Sequence, residues 1–313
     1  MTQKILADMK IIQGLIVSLF SLILCLSFAV ASAQSVVEQG AKPKVITEGY
    51  EFTEGPFWHP NGFLLFSDIP ANTIYKWDPD GYGAQKLLKP SGHSNGITMD
   101  TKGRLIICQH DGMVSALNDT AIVVLASSFD GKRLNSPNDA AVKSDGTIYF
   151  TDPPFGVSEE EKELDINGVY RIAKDGSVEL LYDKLSRPNG IVFSPDEKTL
   201  YVNDSSDGRI LSFDVTTDGN VSLPTEFANV GEPDSTGAAD GMVVDSQGRL
   251  YSTGPGGISV FSPEGEQVEK IALPAPATNL EWGREGAKEL FISTPDAIYQ
   301  LQMAVDGVAR KDS

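Results

Sequence analysis

Cysteine is nearly missing from this chain. Cys25 falls inside an N-terminal apolar run and Cys108 stands alone beyond it, so no internal disulfide is available even in an oxidising compartment. Basic residues are scarce beside acidic ones, 25 against 43, for a formal net charge of −18. Such a surface repels nucleic acid and anionic lipid and favours cation binding and solubility. Helical periodicity is hard to find after residue 35, and no Pro/Ser-rich linker divides the chain from there to its end. These absences exclude a disulfide scaffold, a nucleic-acid binder and a multidomain chain.

What is present begins with a leader. Lys4 and Lys10 precede an uncharged apolar run from Ile11 to Val30, and Ala31, Ser32 and Ala33 come next. That order is a secretory signal cleaved before Gln34. Met9 is an alternative start, and the run is nearly long enough for an uncleaved anchor. Removal of residues 1–33 leaves 23 basic and 42 acidic residues, a net charge of −19. The mature protein is expected to be periplasmic or secreted and without membrane insertion. Residues 34–49 read as a lead-in, 50–304 as one domain and 305–313 as a short polar tail.

Short Val/Ile/Leu/Tyr/Phe strands bounded by Gly, Pro, Asp and Asn recur through the domain, an all-β signature. One pattern returns six times: EGPFWHPNGFLLFSD from Glu54, NGITMDTKGRLIICQH from Asn95, NDAAVKSDGTIYFTD from Asn138, NGIVFSPDEKTLYVND from Asn189, DGMVVDSQGRLYSTG from Asp240 and NLEWGREGAKELFIST from Asn279. Each copy is a hairpin of two alternating strands with a polar residue at its head. The heads are 41, 43, 51, 51 and 39 residues apart, which leaves room for two further strands per repeat. The fold class is therefore an all-β, six-bladed β-propeller with four-stranded blades.

The first strand of each blade lines the central channel, so Glu54, Asn95, Asn138, Asn189, Asp240 and Asn279 converge on the axis, each with a side-chain oxygen. Asn and Asp before Gly also head ordinary turns, but Glu54 has no such role. Gathered carboxylates and amide carbonyls are costly to desolvate unless something satisfies them. A hard divalent cation does so, and calcium accepts six to eight oxygen ligands. No His or Cys stands at a head, which disfavours zinc and copper. Calcium is the expected ion, and magnesium, manganese or zinc are the alternatives.

The motifs TEGPFW at Thr53, LLFSDIP at Leu64, GKRLNSPND at Gly131, YFTDPPFG at Tyr149, RPNGIVFSPDEKTLYV at Arg187, ADGMVVD at Ala239 and STGPGGI at Ser252 resemble the SMP-30/gluconolactonase/luciferin-regenerating family, in its bacterial gluconolactonase branch. The resemblance spans residues 50 to 302. It implies an axial divalent ion on Glu54, Asn138, Asn189 and Asp240, with Asp240 also serving as the acid/base residue. Some lactonases of the family carry Asp where this chain has Asn138, and the basic residue of animal members two positions earlier is Ser136 here. Their mode of sugar binding therefore need not carry over.

The expected reaction is metal-dependent hydrolysis of a small lactone, a sugar lactone such as glucono-lactone. An ester carbonyl under attack by water needs its oxygen stabilised and a base within reach, and Asp240 is the candidate base. His110 is a candidate proton shuttle, and Asn95, Asn138 and His110 are the expected substrate contacts. His93 is a weaker candidate, and His59 is assigned nothing. The acidic stretch 153–167 reads as a lid or a solvated loop, Cys108 as a small apolar strand residue, and Trp58, Trp77 and Trp282 as inter-blade packing. Hydrolysis of another ester or an organophosphate is an alternative, as is a non-catalytic calcium- or ligand-binding propeller. Oligomeric state is not legible.

Overall fold

The strand-rich repeats form strands and nothing else. A computed structural model describes residues 35–118, 121–283, 286 and 288–308, and among these there is no helix. The expected leader lies outside the described residues. Six antiparallel four-stranded sheets succeed one another in sequence, giving the six-bladed propeller.

Blade 1 comprises Thr53–His59, Phe63–Asp68, Thr73–Trp77 and Ala84–Leu88. Blade 2 comprises Ser94–Met99, Leu105–Gln109, Met113–Leu117 and Ile122–Ala126. Blade 3 comprises Ala140–Val142, Ile148–Asp152, Gly168–Ile172 and Val178–Tyr182. Blade 4 comprises Pro188–Phe193, Thr199–Asp204, Arg209–Asp214 and Thr225–Asn229. Blade 5 comprises Met242–Val244, Leu250–Gly254, Gly257–Phe261 and Gln267–Ile271. Blade 6 takes Asn279–Trp282, Glu289–Ser293 and Ala297–Gln302 from the end of the chain, and its outer strand, Lys44–Glu48, from the beginning. The lead-in thus contributes a strand to the last blade and closes the ring non-covalently. At the other end Gly307 bridges Asp245 and lies against the Trp282 ring.

The second strand of each blade is the most buried because both of its faces pack. Leu64 and Phe66 turn toward blade 6 and Leu65 toward blade 2. Ile106 and Cys108 turn toward blade 3 and Ile107 toward blade 1. Tyr201 meets blade 5 while Leu200 and Val202 meet blade 3. This explains why LLF, IIC, IYF and LYV are continuous apolar runs rather than alternating ones. Six apolar clusters result, one at each blade junction. Cys108 is fully buried in one of them.

The tryptophans sit at junctions as their sequence positions imply. Trp58 stacks on Phe291 with ring centroids 5.1 Å apart and planes 6° apart, and Trp77 meets the same ring edge-on at 6.2 Å. Trp282 meets Tyr251 edge-on at 5.4 Å, joining blades 6 and 5. Phe291 is therefore the aromatic centre of the junction between the last blade and the first. Phe291→Ala is expected to lower the unfolding free energy by about 3–5 kcal/mol, read by urea titration. A loss below about 1 kcal/mol would mean that the blade 6 to blade 1 junction is held mainly by its other contacts, among them Leu64, Phe66 and Ile298 and the hydrogen bond from Thr278 to Thr53.

Candidate active site

The six heads are held in place by hydrogen bonds that run from blade to blade. Ser67 Oγ in blade 1 donates to Asn95 O at 2.8 Å, and Gly96 N in blade 2 donates to Asn138 O at 2.8 Å. Thr151 Oγ1 in blade 3 donates to Asn189 O at 2.7 Å, and Asn203 Nδ2 in blade 4 donates to Asp240 O at 2.6 Å. Gly241 N in blade 5 donates to Thr278 O at 2.8 Å, and Thr278 Oγ1 returns the circle to Thr53 O at 2.7 Å. Glycine after a head allows this close approach. A Cβ on Gly55 would collide with Asn95 O and one on Gly190 with Asp240 O. Glycine here makes room between blades, which the reading of these dipeptides as turns does not capture.

Local irregularity aims the side chains. The inner strands of blades 1, 2 and 4 shift register at Glu54/Phe57, Ser94/Ile97 and Pro188/Ile191, and a bulge re-aims a side chain next to a site. Asn138 and Asp240 lie just ahead of the regular inner strands of blades 3 and 5. Blade 6 pairs regularly from Asn279 onward, and its head behaves differently. Asn279 Nδ2 donates to Glu54 Oε2 at 3.0 Å, and its Oδ1 accepts from Leu280 N at 2.7 Å. Both ends of this amide are occupied, so Asn279 supports Glu54 and offers no free oxygen to the axis.

Two other amides do offer one. Asn189 Nδ2 donates to Ser205 Oγ at 2.9 Å and lies against the Asp240 carboxyl. Ser205 Oγ itself donates to Ala239 O at 2.6 Å, so it can only accept from Asn189. Asn95 Nδ2 is engaged with His110 Nε2 at 3.1 Å. In both residues Oδ1 is buried and has no hydrogen-bond partner. The Asn138 side chain makes no hydrogen bond among the described residues and is 4% exposed.

Glu54 and Asp240 face one another. Glu54 Oε2 accepts from Gly55 N at 2.8 Å, and the two carboxyl groups are in hydrogen-bond contact. Burial pushes the Glu54 carboxyl up to about 7. Burial and then the Glu54 charge hold Asp240 well above the usual carboxylate range. Like charges this close in a dry site share a proton unless a cation joins them. The Asp240 backbone is fixed by Asn203 and by Thr253 Oγ1, which accepts from Asp240 N at 2.9 Å.

Other candidates separate clearly. His110 is partly buried, and burial lowers it to about 4, with the His93 charge acting in the same direction and Asp111 against it. It is a neutral ring whose Nε2 accepts from Asn95. His93 lies outside this arrangement, with Nδ1 2.8 Å from Asp111 Oδ1 at the surface. His59 is stacked on Phe63 at 4.4 Å, away from the heads. Ser136 Oγ donates to Pro153 O at 2.5 Å and accepts from Gly156 N at 2.9 Å, so it ties down the stretch after blade 3's second strand.

Sequence reading passed over a second set of carboxylates. Asp68, Asp152 and Asp204 end the second strands of blades 1, 3 and 4. Asp68 accepts from Glu51 N and Phe52 N at 3.2 and 3.1 Å. Asp152 accepts from Asn135 N at 2.8 Å, and Asp204 from Ser186 N and Arg187 N at 2.7 and 3.0 Å. Each pins the segment two or three residues ahead of its own blade's head. Gln109 takes this place in blade 2, donating to Ser91 O at 2.7 Å. The signal was visible as the terminal D of FSD, FTD and VND. Also missed were Asp139 and Glu281, which with Asn279 line an axial cavity of about 150 Å³ continuing beyond the heads. Burial pushes Asp139 up to about 7. A larger depression of about 370 Å³ lies between Ile122–Ala126 and Val178–Tyr182 and holds none of the heads.

The oxygen-only donor set fits a hard divalent cation. It offers two carboxylates, two buried carbonyl oxygens without partners and the amide of Asn138, and the imidazole nitrogen nearest them, His110 Nε2, is taken up by Asn95 Nδ2.

Comparison with known proteins shows the family. The family model for the SMP-30/Gluconolactonase/LRE-like region matches residues 52–296. The gluconolactonase of Zymomonas mobilis subsp. mobilis is 34% identical, over 87% of this chain and 84% of that protein. A solved gluconolactonase from Xanthomonas campestris, described as important in glucose secondary metabolic pathways, superposes with a TM-score of 0.77 at 33% identity, covering 86% of this chain and 91% of that one. The pentonolactonase XacC of Haloferax volcanii is 26% identical, over 80% of this chain and 84% of that protein.

The His110 environment carries a pH signature. Its unfolded form takes up a proton near 6.5 and its folded form only near 4, so the unfolded state binds more protons between these values. The stabilisation from His110 is complete above pH 6.5 and lost as pH falls toward 4. The stability difference between the native protein and His110→Gln should shrink by on the order of 2 kcal/mol from pH 7 to pH 4, after allowance for partial exposure. A difference independent of pH in thermal or urea unfolding would show that His110 protonates freely in the fold.

Proposed function

The chain belongs to the SMP-30/gluconolactonase/LRE-like family, and on that premise we propose that it is a lactonase whose substrate is a small sugar lactone and whose axial ring holds one divalent cation. Calcium suits the oxygen-only donors best, with magnesium or manganese next. Glu54, Asn138, Asn189 and Asp240 would hold the ion, and Asn95 Oδ1 is a further oxygen of the ring. The observation that carries this reading is the pair of buried, unpartnered amide oxygens, Asn95 Oδ1 and Asn189 Oδ1, beside the facing carboxyls of Glu54 and Asp240. Lactonase chemistry is that of the gluconolactonase and pentonolactonase relatives.

When bound, the cation supplies Lewis-acid stabilisation of the ester oxygen and keeps the two carboxyls ionised. The remaining work falls to the chain. Asp240 takes a proton from the attacking water at its carboxylate, and its backbone, clamped by Asn203 and Thr253, keeps that carboxylate on the axis. Opening of the ring ester bond leaves an alkoxide, and the proton held on Asp240 is the one returned to it. Glu54, braced by Gly55 N and Asn279, fixes the opposite side of the ring. His110 orients Asn95 through Nε2, a role for which its neutral state is suited.

The test is acid release from glucono-δ-lactone above the spontaneous rate. Chelation should abolish it, calcium, magnesium or manganese should restore it, and Asp240→Asn should lower kcat by about 10²–10⁴-fold with the fold intact. If no ion restores a rate above background, the sugar-lactone reading falls. Turnover of another ester or an organophosphate would then take its place, and binding without turnover would leave a ligand-binding propeller.

A further inference from the structure

Beside the heads runs an arc of side chains whose outer members, Phe155 and Arg187, the chemistry above does not use. It starts at Asn95, whose amide meets His110. Gly156 lies against the His110 ring, where a Cβ would collide with it. Gly156 N and Pro153 O are both held by Ser136 Oγ, two residues before Asn138. The loop so anchored presents Phe155 to solvent, 40% exposed. The Arg187 guanidinium carbon lies 5.8 Å from the centre of the Phe155 ring. Arg187 stands two residues before Asn189, with its backbone N–H held by Asp204 at 3.0 Å and its carbonyl by Ser205 N at 3.0 Å. The arc therefore runs from blade 2 to blade 4, with His110 in contact with the head Asn95 and with Ser136 and Arg187 each two residues ahead of the heads Asn138 and Asn189.

Two features make this pair more than surface. Among the described residues no carboxylate lies within ion-pair distance of the Arg187 guanidinium, although the protein carries a net charge of −18. Its acidic neighbour Asp204 is committed to the N–H groups of Ser186, Arg187 and Ser206. Phe155 is a large apolar ring held in the open by a tethered loop.

We propose that Phe155 and Arg187 form a distal substrate subsite that grips the hydroxyl-bearing ring carbons and the hydroxymethyl group of a sugar lactone whose ester group sits on the axial ring. This rests on the lactonase reading. The ring face of Phe155 matches the C–H face of a polyol, and the planar guanidinium offers five donors to hydroxyl oxygens. A lactone with no hydroxyls and no hydroxymethyl group finds nothing to hold there.

The metal-loaded protein and the variants Arg187→Ala, Arg187→Lys and Phe155→Ala would be assayed with glucono-δ-lactone and with δ-valerolactone. For glucono-δ-lactone, Arg187→Ala and Phe155→Ala should each raise KM about tenfold, the value of one good contact, with kcat within about twofold and partial recovery in Arg187→Lys. Efficiency on δ-valerolactone should stay within about twofold. Unchanged KM for glucono-δ-lactone overturns the subsite and leaves the lactonase reading standing. A fall in kcat without a rise in KM also overturns it, because that is the mark of a structural role. Absence of any lactone turnover by the unmodified protein overturns the lactonase reading and the subsite with it.

Discussion

Everything at the centre of this protein depends on one closed circle of hydrogen bonds to backbone carbonyls at the heads of the inner strands. A donor in each blade reaches the next: Ser67 to Asn95, Gly96 to Asn138, Thr151 to Asn189, Asn203 to Asp240, Gly241 to Thr278 and Thr278 to Thr53. Most of these donors and acceptors are buried, so each bond also removes a desolvation cost that an unpaired partner would carry. The apolar clusters between blades determine that six sheets pack around an axis. The circle determines the position of each head on that axis, and through it the spacing of the functional oxygens.

The side chains are oriented by a second set of contacts with the opposite logic. Ser205 and His110 consume the donor ends of Asn189 and Asn95 and leave the acceptor ends without partners. Asn279 braces Glu54, and Asn203 serves two neighbours, accepting from Gly190 N at 2.9 Å while donating to Asp240 O. A stability-driven arrangement would satisfy these oxygens internally. Leaving them open beside two facing carboxyls is the kind of local cost that functional sites carry, and a rigid six-blade frame is able to bear it.

How much of this was legible depends on the period of each signal. Six copies of one hairpin placed Glu54, Asn95, Asn138, Asn189, Asp240 and Asn279 at equivalent positions, and the propeller followed from the repeat. Equivalent position in sequence does not guarantee equivalent direction in space, however. Asn279 begins a regular ladder, whereas Glu54, Asn95 and Asn189 lie at register shifts, and no residue pattern distinguishes these in advance. The closing strand Lys44–Glu48 was not legible because its sequence, KVITE, has no repeat head and its partner, Ala297–Gln302, lies about 250 residues away. Asp68, Asp152 and Asp204 were visible as a recurring strand-terminal Asp, but their role depends on backbone N–H groups whose place only the fold reveals. Asp139 was hidden by its neighbour, because the polar Asn138 already accounted for that repeat.

The charge inventory of the ring explains why amides rather than further acids complete it. Glu54 and Asp240 together carry two negative charges when ionised, which a single divalent cation balances, and the remaining oxygens come from neutral amides. A third ionised carboxylate at the position of Asn138 would leave the ring with net negative charge in a low-dielectric setting, a costly state without a second cation. An additional acid, Asp139, sits one residue along, turned into the cavity beyond the heads that Glu281 also lines, with its Oδ1 tied to Ala140 N at 2.8 Å and burial pushing its carboxyl up to about 7. Asn at position 138 thus accords with having Asp at 139: the blade that supplies the extra acid to the channel supplies an uncharged oxygen to the ring.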